Sequence, residues 1–133
     1  MQRKTARENA FILLFERACK NDETAEEIFT KATEIRGLEV DDYVKEVFFG
    51  AERNSAVIDE AIEKALVGWR KERLSPVSRA LLRLAAYEIM LRDDIPVKVS
   101  INEAVELSKK YDDEKTYALV NGVLNAIREQ CER

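Results

Sequence analysis

The chain has 133 residues, enough for one domain with a modest core and too few for two independent catalytic domains. Its 46% hydrophobic and 36% charged residues exclude a disordered chain, and only four Gly and two Pro speak against an all-β fold, which needs frequent turns. Twenty-two basic against 26 acidic residues leave a net charge of −4, so any nucleic-acid site must be local, and the absence of His removes the commonest general base and metal ligand.

The first segment carries a capping-box spacing, Thr5-Ala6-Arg7-Glu8, ahead of an apolar run to about Lys20. Ala6, Ala10, Leu13, Leu14 and Ala18 form one helical stripe, widened by Phe11 and Phe15. A second helix is predicted from Thr24, with Glu27 as its box partner, to Gly37, with Ile28, Ala32 and Ile35 inward. Asp41 or Asp42 can cap a third, which carries Tyr43, Val44, Val47, Phe48 and Ala51. Asn54-Ser55 reads as a break, after which Val57, Ile58, Ala61, Ile62, Ala65 and Leu66 restore the 3.6-residue period.

Ser75-Pro76 joins an N-cap to a proline at the first helical position. The helix it starts holds Leu81, Leu82, Leu84, Ala85, Ile89 and Met90, and Asp94-Ile95-Pro96 ends it. Ser100-Ile101-Asn102-Glu103 has the spacing of another capping box, with Val99 and Ala104 as its staple. A last helix runs from about Asp113 with Leu119, Val120, Val123, Leu124 and Ile127 inward. No segment alternates with period 2. The expected fold is therefore all-α, six or seven helices in one domain over residues 1–133, with helical halves of about 1–70 and 75–133. The stretch Trp69–Ser75 is the seam, stiffened by burial of Trp69.

Enzyme templates are missing: there is no GxGxxG, no Walker loop and no His for a nucleophile pair. Acidic pairs such as Glu26-Glu27 and Asp93-Asp94 read as solvated surface charge. Cys19 and Cys131 lack metal-ligand spacing and read as reduced thiols. No apolar stretch approaches the roughly 18 residues of a membrane span, and no signal peptide is evident, so a cytoplasmic protein is expected.

Two features carry chemistry. Arg3, Lys4 and Arg7 crowd the start of the first helix, where the macrodipole disfavours cations. Residues 1–20 hold five basic and two acidic side chains. Free helix-start amides flanked by Arg and Lys suit a phosphate; a solubilising basic tail is the alternative. Asn121-Gly122 interrupts the apolar run Leu119–Leu124. Gly122 either lets another helix approach closely or leaves a groove for a ligand. Asn121 offers donor and acceptor for capping a neighbouring helix or touching a base.

Several blocks together resemble the NusB transcription antitermination family. They are Lys4-Thr5-Ala6-Arg7-Glu8, Trp69, the run Arg79–Glu88 (RALLRLAAYE), Ile95–Leu107 (IPVKVSINEAVEL) and Val120-Asn121-Gly122-Val123-Leu124. The resemblance implies two small packed helical bundles, no enzymatic activity and no cofactor or metal. It implies binding of boxA-type single-stranded RNA together with NusE, a ribosomal protein, and loading onto RNA polymerase with other Nus factors, notably on ribosomal RNA operons. It maps RNA contacts to Arg3, Lys4 and Arg7 and partner contacts to Phe15 and the Ser78 position; with these, the amide of Asn121 is a candidate base contact. Three positions depart from the pattern: Thr5 and Ser78 stand where an Arg and an acid are common, and Leu119 replaces a Phe that could stack on a base. Two other readings remain at this point: a helical adapter that binds no RNA, and the recognition domain of an RNA-modifying enzyme, which the lack of a Rossmann segment disfavours.

Overall fold

Apolar stripes of period 3.6, punctuated by caps, produce helices and no strand among the described residues. The computed structural model describes residues 1–66, 74–113 and 115–131. It has α1 (Arg3–Cys19), α2 (Ala25–Thr30) continued by a π-helical turn (Lys31–Ile35), α3 (Asp42–Arg53), α4 (Ser55–Ala65), α5 (Pro76–Leu91), α6 (Val97–Tyr111) and α7 (Thr116–Gln130). Trp69 lies outside the described residues.

α5 is the hub. Ten of its sixteen residues are buried, which marks a helix covered on all sides, and it packs against α1, α3, α4, α6 and α7. Its start is set as the sequence predicts: Ser75 Oγ accepts from the Ser78 amide at 3.1 Å, and Pro76 needs no donor at the first position. The other core residues come from every helix, from Ala6, Leu13 and Leu14 of α1 to Val120, Val123, Leu124 and Ile127 of α7.

Other caps also form at the predicted places. Thr24 and Glu27 make the reciprocal box, Asp41 accepts from the Val44 amide at 2.9 Å, and Asn54 separates α3 from α4 while its side chain donates to the Gly50 carbonyl at 2.8 Å. Gly37, at φ 70°, closes the second segment. Asp113 gathers the amides of Lys115 and Thr116 at 3.0 and 3.1 Å just before α7.

Two predicted capping boxes do not form. α1 starts at Arg3 with Gln2 as its cap and no side-chain hydrogen bond there; Glu8 instead accepts from Lys110 at 2.7 Å and from the Tyr111 hydroxyl. α6 starts at Val97 rather than beyond Ser100. Ser100 is buried and its hydroxyl serves α5, and Val99 is 41% exposed, so no staple exists. In both places a tertiary partner captured a side chain that local spacing assigned to a cap. Ile35 is also outside, because the π turn, closed by Arg36 N–H to the Lys31 carbonyl at 3.2 Å, adds a residue to the turn and rotates it outward. Val57 likewise faces solvent.

Gly50 on α3 permits close approach of α5. A Cβ there would lie 2.5 Å from Tyr87 Oη and 2.7 Å from two ring carbons, and the ring is buried. Gly50→Ala should therefore cost about 1–3 kcal/mol through overpacking. A urea titration measures it, and a loss under ~0.5 kcal/mol would show that the ring moves aside freely.

Candidate nucleic-acid interface

Distance from the helix start, rather than helix face, separates the three N-terminal cations. Arg7, Ala10, Phe11 and Leu14 fall on one buried stripe of α1, so Arg7 points inward while Arg3 and Lys4 sit at the exposed helix start. Arg7 is only 4% exposed. Its Nε–H donates to Glu88 Oε2 at 2.9 Å, and its Nη1 lies 3.6 Å from Glu103 Oε1.

Glu88, on α5, has no solvent exposure. A buried carboxylate needs several donors, and three elements supply them: Arg7 from α1, the Tyr43 hydroxyl from α3 to the same Oε2, and the Ser100 hydroxyl from α6 to Oε1 at 2.7 Å. Burial, then the Glu88 charge, pushes the Tyr43 phenol far above its ordinary value. Burial alone would lower Arg7, but the hydrogen bond and charge of Glu88 more than offset it and hold the guanidinium cationic. Arg7 thus has little surface to offer a phosphate, and the expectation of three phosphate contacts narrows to two side chains.

Those two remain outside. The Arg3 guanidinium lies 4.3 Å from the Tyr43 ring centroid, a cation–π contact that orients it. Lys4 is 74% exposed in its side chain, and its Nζ stands 3.9 Å from Glu103. Two further cations lie near the end of α6. Lys110 meets Glu8, and Lys109 Nζ sits 5.1 Å from the Tyr117 ring centroid. Counting charge near the N-terminus passes over Lys109, Lys110, Tyr111 and Tyr117, although Lys109-Lys110-Tyr111 is a run of adjacent basic and aromatic residues.

Asn121 and Gly122 are exposed on the outer face of α7, and a Cβ at Gly122 would meet nothing within 4 Å. Gly122 therefore does not serve tight helix packing. Phe15 is half-buried beside Phe11, ring centroids 6.1 Å apart. Ser78 is 1% exposed and belongs to the Ser75 cap, whose hydroxyl donates to Asp112 at 2.9 Å, so it can influence a partner only through that corner.

A polar cleft between the end of α1, the α3–α4 junction and α5 contains Arg17, Arg79 and Arg83. Glu52 and Asp59 answer it, pairing with Arg17 at 2.9 Å and Arg83 at 3.0 Å. Among the described residues no group of three His, Cys, Asp or Glu could hold a metal ion, Cys19 and Cys131 are free thiols, and no helix is long and apolar enough to cross a membrane.

These features define an all-helical protein whose distinctive surface is a cationic edge on an acidic body. The model of the NusB family matches residues 4–129. The transcription antitermination protein NusB of Bacillus licheniformis is 42% identical over 132 residues, 99% of this chain and 100% of that protein. The structure of T. maritima NusB superposes with a TM-score of 0.86 at 34% identity, covering 100% of this chain and 94% of that one. The NusB chain in a crystal structure of the antitermination factors NusB and NusE with dsRNA gives 0.84 at 34% identity, with 96% of each chain covered. The chain belongs to the NusB family.

Arg7→Ala should destabilise the protein by about 3–5 kcal/mol, because it strands the Glu88 charge in the core, whereas Arg3→Ala and Lys4→Ala should stay within ~0.5 kcal/mol. Urea melts of the three variants decide it; three equal, small losses would mean that Arg7 is not buried. In alkali the unfolded chain ionises Tyr43 first, since its folded pKa is the higher. Its contribution is therefore complete below about pH 10 and is lost as pH rises beyond that. Tyr43→Phe should flatten that part of the stability–pH curve, and an unchanged alkaline slope would contradict the burial of the phenol.

Proposed function

We propose that the protein is a non-catalytic RNA-binding factor in transcription antitermination. It binds boxA-type single-stranded RNA in nascent transcripts jointly with NusE and supports RNA polymerase with other Nus factors, notably on ribosomal RNA operons. The observation that carries this reading is the cationic start of α1, left exposed in a NusB-family chain whose third N-terminal cation is held by Glu88. Arg3 and Lys4 contact phosphates, Arg7 positions their helix through Glu88, and Asn121 touches a base. Phe15 faces NusE, and Ser78 shapes the corner beside Asp112. The two halves, about 1–70 and 75–133, act as one domain, because α5 packs against helices of both. The protein works in the cytoplasm, where nascent transcripts are made.

An acidic body with a basic edge favours one orientation on RNA and discourages indiscriminate coating. Few phosphate contacts also mean weak binding alone, so a partner on the same strand adds affinity through effective concentration. RNA and NusE should then strengthen each other's binding by the same factor, about 5–150-fold.

Titrating a boxA-type RNA against the protein, with and without NusE, tests both statements. Replacing Arg3 and Lys4 with Ala should weaken binding and flatten the salt slope by roughly 0.7 for each phosphate that is no longer neutralised, and Phe15→Asp should reduce the coupling to NusE. Unchanged affinity and slope would remove the α1 start from the site. Binding of NusE with no affinity for RNA would favour the helical adapter instead.

A further inference from the structure

Leu119 stands where the family pattern has a phenylalanine, and it is buried in the inner face of α7, so it cannot stack on a base. The outer face of the same helix holds an aromatic ring nearby. Tyr117 keeps 39% of its area exposed, and Ala118, Asn121 and Gly122 beside it are exposed as well. Tyr117 and Asn121 are four residues apart, hence on one face and about 6 Å from each other along the helix. The open space at Gly122 leaves no bulk in the way of a flat ligand.

A cation stands beside the ring. Lys109 Nζ is 5.1 Å from the Tyr117 centroid and 3.7 Å from Glu106, with its side chain half exposed. Lys110 lies next to it on α6, and Lys115 is exposed just before α7. α6 also links this face to the start of α1: Lys4 meets Glu103, and Lys109 lies six residues further on α6, about 9 Å along the axis. A protein partner would need a cluster of large apolar anchors, and around Tyr117 the exposed Ala118, Asn121 and Gly122 add no large apolar side chain. A nucleobase needs a ring to lie on and a donor–acceptor pair at its edge, which Tyr117 and Asn121 provide.

We propose that Tyr117 is a base-stacking platform. One base of a single-stranded RNA lies on its ring, the Asn121 amide meets that base's edge, and Lys109 holds the adjoining phosphate. The platform supplies the ring that the buried Leu119 cannot, and it rests on the RNA-binding reading above.

The test is binding of a boxA-type single-stranded RNA to the full chain, using wild type, Tyr117→Phe, Tyr117→Ala and the Arg3→Ala/Lys4→Ala variant. A set of RNAs with each base in turn made abasic completes the experiment. Tyr117→Phe should bind within about twofold of wild type, and Tyr117→Ala should lose about five- to a hundredfold with an unchanged salt slope. One abasic position should cost wild type a similar factor and cost Tyr117→Ala nothing further. Full affinity in Tyr117→Ala, with the Arg3/Lys4 variant still weakened, overturns the platform and leaves the RNA reading standing. Loss of NusE binding alone in Tyr117→Ala would make the face a protein contact and overturn it too. A wild-type chain that binds no RNA, with or without NusE, overturns both.

Discussion

A carboxylate sealed at the centre of a helical protein dictates much of what surrounds it. Glu88 has no exposure, and an ionised group there is tolerable only if donors converge on it. Arg7, Tyr43 and Ser100 do so from α1, α3 and α6, while Glu88 itself rides on α5. Four helices are thereby fixed at one point. Hydrophobic contacts alone would tolerate small slides of α1 along α5; a Nε–H to Oε2 bond of 2.9 Å does not, since hydrogen bonds weaken steeply with misalignment.

That constraint reaches the surface through α1. With Arg7 pinned inside, Arg3 is one turn nearer the helix start and rests on the Tyr43 ring, whose hydroxyl binds the same carboxylate. Lys4 turns toward Glu103 on α6. The outer cations are therefore presented by a rigid frame, which lowers the ordering cost of meeting an anion. α6 then links this edge to α7 through Glu8–Lys110 and Lys109–Tyr117.

Most of the helices were legible because their signals are local. Ser75-Pro76, Asp41, Thr24 with Glu27, Asn54 and Gly37 act within a few residues of themselves. Thr5 with Glu8 and Ser100 with Glu103 have the same spacing as a working box, but Lys110, Tyr111 and Glu88 claim Glu8 and Ser100 from far along the chain. The candidate site divides the same way. Arg3 and Lys4 could be placed by charge at a helix start. Arg7 looked alike in a charge count, although its place on the stripe with Ala10, Phe11 and Leu14 already pointed inward; its partner, 81 residues away, was invisible. Asn121 and Gly122 interrupt an apolar run and left packing and ligand contact both open; Leu119, Val120, Val123, Leu124 and Ile127 make the buried face and leave the pair outside.

In the proposed RNA complex Arg7 stays with Glu88 while other side chains meet the RNA, and the role proposed for the start of α1 depends on that division. The direct measurement is the side-chain Nε–H resonance of Arg7, followed by NMR through a titration with boxA-type RNA. It should be slow to exchange with solvent in the free protein and stay so, with little shift, when RNA saturates the chain, while signals of Arg3, Lys4 and Asn121 move. Rapid exchange in the free protein, or an Arg7 signal that shifts with the RNA as those of Arg3 and Lys4 do, would contradict it.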